Sequence, residues 1–271
     1  MLTIRQTRQT LEKFVYAKGT NVALYNAEHS KPYQEMETEL REALYSQIET
    51  VATLDNVSSC LRFTKLKEPN KELIDQITLI LSANLVSNNI NLAVYLYWAG
   101  EQGGQAALDK LGLSGVFNLK NKELLHYFDD HSRLILNSVD DYTKKWVAAK
   151  IQDGVDQGLG PSGIVDSLIK DGGEISKVRA ERIVLTETAS AMTRVELAAS
   201  KRYGIETKVW HTSLDERTCH ICLPLEEEEV GIDDLFPGEL EGPPAHVRCR
   251  CFLEFPIPKS WETPEELWLG E

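Results

Sequence analysis

Four of the five cysteines in this 271-residue chain fall between Trp210 and Phe252, in an order suited to metal coordination. Cys219 and Cys222 form a C-x-x-C pair, and after an acidic insert His246, Cys249 and Cys251 form H-x-x-C-x-C. Thiolates and an imidazole presented from two short turns are the donors a tetrahedral zinc ion takes, so the segment reads as a structural zinc site with Cys219, Cys222, His246, Cys249 and Cys251 as candidate ligands. One donor is surplus. Either Cys219, Cys222, His246 and Cys249 make two i,i+3 knuckles, which is the favoured set, or Cys251 replaces one of them, because residues two apart on a strand face the same side. His220, between the first two cysteines, is expected to point outward, and His211 to be a satisfied surface histidine. Cys60 stands alone and reads as a small buried hydrophobe.

Catalytic uses of such an ion fit less well. A zinc deaminase needs H-x-E before P-C-x-x-C, and neither a His-x-Glu nor a proline stands ahead of Cys219. The H-E-x-x-H of a metalloprotease is absent, and a shell of three or four thiolates leaves no position for water. No catalytic residue is assigned and no enzymatic activity is expected. The opening MLTIRQTRQTLEKF has no apolar leader, which points to a reducing compartment and favours metal over a disulfide; a redox role for Cys219 and Cys222 is the lesser alternative. The acidic run Glu226 to Glu229, with Asp233, Asp234, Glu239 and Glu241, lacks calcium-loop spacing and reads as a solvated loop.

Charge bounds the partners. With 42 acidic against 29 basic residues the chain carries 13 net negative charges, which repel a phosphate backbone at long range. The competing reading, a zinc-dependent nucleic-acid-binding or nuclease module, has the two knuckles in its favour but no catalytic His-Asn constellation. The longest near-continuous apolar run, Leu92 to Ala99, falls short of the ~20 residues of a membrane span.

The elements that must hold the cluster are mostly helical. Met36, Leu40, Leu44, Ile48 and Val51 recur at helical spacing after Pro32, and a second helical segment runs from near Asn70 through Leu73, Ile77, Ile80, Leu81 and Leu85 towards Trp98. A weaker helical signal surrounds Leu11, Phe14 and Val15. Gly100, Gly103, Gly104, Gly112 and Gly115 are expected to interrupt any long helix, with a boundary near residue 118. Helical periodicity resumes from Leu124 to Ile151 and ends near Gly158 and Gly160. A short helix then opens at Pro161 and closes at Gly172-Gly173, and a long one runs from a Ser176 N-cap to Gly204. On that long helix Val178, Leu185, Ala189, Met192, Val195, Ala199 and Tyr203 form an apolar stripe, Arg182, Thr186 and Thr193 lie on the other side, and Glu187 and Arg194 flank it either as solvated residues or as a polar clamp. Thr207 to Thr212 and Cys251 to Phe255 have strand composition and would make a small mixed sheet around the metal. Asp215 and Arg217 read as loop residues that hold the first knuckle, and Pro243-Pro244 stiffens entry to the second. Trp261 and Trp268 mark a Pro-rich tail.

The fold class expected is therefore α+β and mostly α-helical: a helical N-terminal region (1–118), a second domain (119–256) with the zinc-stabilised module at 205–256, and a tail (257–271). The runs R-A-E-R-I-V-L-T-E-T-A-S-A-M, K-V-W-H-T-S-L-D-E-R-T-C-H-I-C-L-P-L and P-P-A-H-V-R-C-R-C resemble the phage Mu F-like minor head proteins, also called phage head morphogenesis proteins. The matching residues are Arg179, Ala180, Thr186, Glu187, Trp210, Asp215, Arg217, the C-x-x-C pair, His246, Cys249, Arg250 and Cys251, over roughly residues 140 to 256. Leu185, Val247 and Glu227 depart from the pattern, standing where the family usually has Arg, Pro and Gly. The resemblance implies a minor head protein acting in head morphogenesis and found in the virion, and in the host cytoplasm during assembly. It implies the portal protein as partner, with the major capsid or scaffolding protein and phage DNA as further candidates, and no membrane or small-molecule substrate.

Overall fold

Leucine and isoleucine at three- and four-residue spacing build most of the chain. The computed structural model describes residues 22–61, 64, 71–213 and 218–258. The helical signal around Leu11, the loop residues Asp215 and Arg217, and the tail with Trp261 and Trp268 lie outside the described residues. Eight described helices, α1 (Val22–Glu28), α2 (Lys31–Val51), α3 (Leu54–Cys60), α4 (Lys71–Leu81), α5 (Val86–Asn89), α6 (Leu92–Lys110), α7 (Lys122–Asp156) and α8 (Pro161–Arg202), precede three strands, β1 (Thr207–His211), β2 (Glu229–Gly231) and β3 (Phe252–Glu254). The fold is α+β and mostly helical. Two compact units interleave along the chain: a helical unit of Lys31–Tyr95 and His126–Val184, and a second built from Leu96–Leu125, the chain from Leu185 onward and the described residues up to Ser30.

In the helical unit the expected face of α2 is the buried one: Met36, Leu40, Leu44, Ile48 and Val51 all lie inside. Ile48 and Val51 join Leu73, Ile77 and Leu81 of α4, Val147, Ala148 and Ile151 of α7, and Ile164 and Leu168 of α8 in one apolar cluster, with Cys60 fully buried among them. Burial pushes the Cys60 thiol up to about 11, consistent with an inert packing role. Asp140, at 3% exposure, accepts from four donors: Gln47 Nε2 (2.6 Å), the Val86 and Ser87 amides (2.8 and 3.2 Å) and Ser87 Oγ (2.6 Å). Two of these are the amides at the start of α5, where a carboxylate also meets the positive end of the helix. Arg179, the arginine of the Arg-Ala pair, is a buried residue of this unit. It donates to Thr143 Oγ1 (2.9 Å) and the Val139 carbonyl (3.0 Å) and stacks over Tyr142, and burial pulls its guanidinium down to about 10.

Several expected breaks are absent. The chain from Pro161 to Arg202 is one helix, passing through Gly172-Gly173 without closing. Gly172 serves close packing: a Cβ there would stand 2.8 Å from Ile48 Cγ2. Likewise α6 continues through Gly100, Gly103 and Gly104, because a Cβ on Gly103 would meet the Met192 carbonyl at 2.1 Å and one on Gly104 the Phe117 ring. The true breaks are Gly112 and Gly115, which adopt positive φ of 70° and 143°. The second helical segment, read as one, divides into α4, α5 and α6. An apolar window within Lys71–Lys110 is long enough in composition to cross a bilayer, but those divisions interrupt its backbone.

In the second unit, Ala189 and Met192 of α8 pack with Leu24 and Ala27 of α1, while Leu197 joins the cluster around Trp210. The stripe frays at its ends, where Val178 and Tyr203 are exposed. Lys110 of α6 pairs with buried Glu196 and donates to the Leu253 carbonyl at 2.8 Å, fastening helix to strand.

Candidate metal centre

The sheet is antiparallel throughout, in the order β2-β1-β3, and not mixed. β1 and β3 form where the composition predicts strands, with Trp210 opposite Leu253. β2 was not legible as a strand: Glu229 ends the acidic run, Val230 and Gly231 follow it, and pairing with β1 from Thr207 to Val209 decides their conformation. Trp210 is fully buried, its ring 5.2 Å from Phe236, and the cluster around it includes Cys222, Cys249 and Cys251.

Two turns present the donors. In the first, the amides of Cys222 and Leu223 both bond to the Cys219 carbonyl (3.2 and 3.0 Å), and a 3₁₀ turn over Leu223–Leu225 with Pro224 follows. In the second, the Cys249 amide bonds to the His246 carbonyl at 3.1 Å. His246 Nε2 lies 3.1 Å from Cys219 Sγ and 3.2 Å from Cys222 Sγ, and Cys222 Sγ lies 3.8 Å from Cys249 Sγ. The five donors fall into two groups that share Cys222: Cys219, Cys222 and His246, and Cys222, Cys249 and Cys251. Each group could hold a metal ion. A tetrahedral ion bonded at zinc distances keeps its donors roughly 3.5–3.8 Å apart, so these spacings need only small adjustments.

The thiols do not share one protonation state. Hydrogen bonding from the Cys251 thiol pulls Cys249 down to about 5, and the same bond, with burial, pushes Cys251 upward. Burial and the neighbouring Cys249 charge push Cys222 up to about 12. Burial works against ionising Cys219, but the amides of Cys222 and Ile221 outweigh it and lower its thiol. Sulfurs this close cannot all ionise unless a positive charge sits among them, which is what a metal supplies. His246 Nδ1 meets the Val247 carbonyl at 2.8 Å, leaving the Nε2 lone pair for the sulfur side.

Around the donors the structure sharpens several sequence expectations. His220 is exposed, as expected. His211 is not on the surface: its side chain is only 15% exposed, bridged by Nδ1 to Glu226 (3.2 Å) and by Nε2 to Glu254 (2.7 Å). Burial opposes its protonation, but the two carboxylates prevail and raise its pKa. Arg194 reaches Glu241 at 3.4 Å, a partly exposed pair. Glu227, where the family pattern has Gly, occupies the left-handed region at φ 60°, its amide bonded to the Trp210 carbonyl at 2.9 Å. Sequence reasoning missed Lys208, which is 1% exposed, donates to the Glu241 carbonyl at 2.8 Å and lies over the Phe236 ring. Its place on β1, alternating with half-buried neighbours, was the only signal.

Residues 145–254 match the family described as Phage Mu protein F like protein. No curated protein and no solved structure compared with the chain matches it.

Proposed function

This chain carries a phage Mu protein F-like domain over residues 145–254, and on that premise we propose that it is a minor head protein acting in head morphogenesis of a tailed phage, associated with the portal and built around a structural zinc ion. The family match carries the head-assembly reading. Cys219, Cys222, His246 and Cys249, the two i,i+3 knuckles, would hold the ion, with Cys251, which shares a donor group with Cys222 and Cys249, as the alternative fourth ligand. When bound, zinc supplies folding free energy to a module whose strands are only three to five residues long. Such a sulfur-rich shell has no place for a reacting water, which supports a non-enzymatic role. The knuckles then act as staples that keep a surface of fixed shape for contact with other head proteins.

Co-expression with the portal protein of the same phage tests this. The chain is expected to co-purify with the portal and to be present in precursor and mature heads; its absence from both would sink the reading.

A further inference from the structure

The second knuckle contains an arginine in a conformation that arginine avoids. Arg248, between His246 and Cys249, has φ 60°. A side-chain-bearing residue in the left-handed region is strained and persists only where its surroundings impose it. One such constraint is visible. The Arg248 amide donates to Thr186 Oγ1 at 3.2 Å, and Thr186 stands on α8, away from the knuckle in sequence.

The same helix face supports the chain leading into the knuckle. Thr186, Thr193 and Leu197 lie within about 20° of one line along α8 at 100° per residue. Gly242 packs against this line so closely that a Cβ would meet Thr193 Cγ2 at 3.0 Å and Leu197 Cδ1 at 3.6 Å. Arg194 holds the preceding Glu241. Residues 241 to 248 therefore run back along α8 and end at Thr186, where the backbone turns left-handed and His246 and Cys249 converge on the first knuckle.

We propose that Thr186 is a positioning residue for the metal site: its hydroxyl, carried on a rigid helix, fixes the Arg248 peptide and so sets the spacing of His246 Nε2 and Cys249 Sγ. The proposal rests on the zinc reading above. Thr186 accepts from the backbone between two donors, and acts through it as residues that orient ligands from outside do.

The test uses the full chain loaded with Zn²⁺, or with Co²⁺ as a spectroscopic probe. Wild type is expected to bind one ion, with thiolate-to-cobalt charge-transfer absorption. Wild type that binds neither ion overturns the zinc reading itself. Given binding, Thr186→Val, which keeps the shape and removes the acceptor, is expected to weaken Zn²⁺ about 10- to 100-fold in chelator competition and to shift the cobalt spectrum. Thr186→Ser is expected to restore both. Arg248→Gly removes the conformational cost, so Thr186→Val should weaken zinc less in that background. Unchanged affinity and spectrum in Thr186→Val, or an equal loss with and without Arg248→Gly, overturns the positioning role. Should Thr186→Val fail to fold alone, its recovery by Arg248→Gly supports the proposal and its continued failure in that background overturns it.

Discussion

Around Ile48 the helical unit buries valine, isoleucine and leucine from four long or medium helices, whereas around Trp210 the other unit places three cysteine sulfurs among its apolar side chains. The first region can close by burying area alone, since each fully buried aliphatic side chain contributes about 1.5–3 kcal/mol. The second has strands of five, three and three residues and two knuckles rich in polar backbone. Short sheets of this kind are marginal by themselves. On the proposed zinc reading, what separates the two is the source of their cohesion: distributed packing alone in one, a smaller apolar cluster completed by a few directional bonds in the other.

The largest expected effect tests that contrast directly. Cys222 belongs to both donor groups, and structural zinc contributes on the order of 10 kcal/mol in small zinc modules. Cys222→Ser, or chelation of the wild type, is expected to abolish hydrogen-exchange protection in β1 and β3 while α2 and α4 keep theirs. Equal protection in both regions after metal removal would break the comparison.

A smaller effect probes the packed region. Replacing a helical glycine by alanine gains about 1 kcal/mol of helix propensity. At Gly172 the new methyl would press on Ile48, and overpacking costs about 1–3 kcal/mol, so Gly172→Ala is expected to lose up to about 2 kcal/mol overall. At adjacent Gly173 the nearest atom is Tyr45 Cε2 at 3.9 Å, an ordinary contact, and Gly173→Ala is expected to gain up to about 1 kcal/mol. Urea unfolding of the two variants checks the sign; both stabilising would mean the helix–helix approach is looser than drawn.

The smallest effect lies in the turn after the first knuckle. Relieving the left-handed Glu227 with Glu227→Gly is expected to stabilise the module by about 0.5–1 kcal/mol, the conformational cost removed less glycine's added freedom in the unfolded chain. Thermal unfolding of the zinc-loaded protein reads it. A loss would show that the Glu227 side chain does more than fill a turn.

The α2 face and the donor residues were legible in the sequence because each depends on a local pattern: apolar spacing in one case, C-x-x-C and H-x-x-C-x-C in the other. The glycines misled because a residue without a side chain signals two things, a break in the chain or a close approach by another part of it. Only the partner's position separates them: Ile48 for Gly172, Met192 for Gly103. β2 was hidden for a related reason, since its residues become a strand by pairing with β1. His211 looked like a surface residue because nothing local announces that Glu226 and Glu254 arrive on both sides of it. The Thr-Glu motif was visible but mute until Arg248 was found at the end of its hydrogen bond.

The interleaving of the two units has a consequence for the chain as it leaves the ribosome. Ile48, Val51, Leu73 and Ile77 are synthesised first, yet their partners Val147, Ile151, Ile164 and Leu168 follow about a hundred residues later. At ordinary rates of elongation those apolar faces wait several seconds uncovered, a window in which nascent chains aggregate or recruit chaperones. For the same reason an expression fragment cut at residues 145–254 would carry five of the thirteen buried residues of that cluster and none of its α2 and α4 complement.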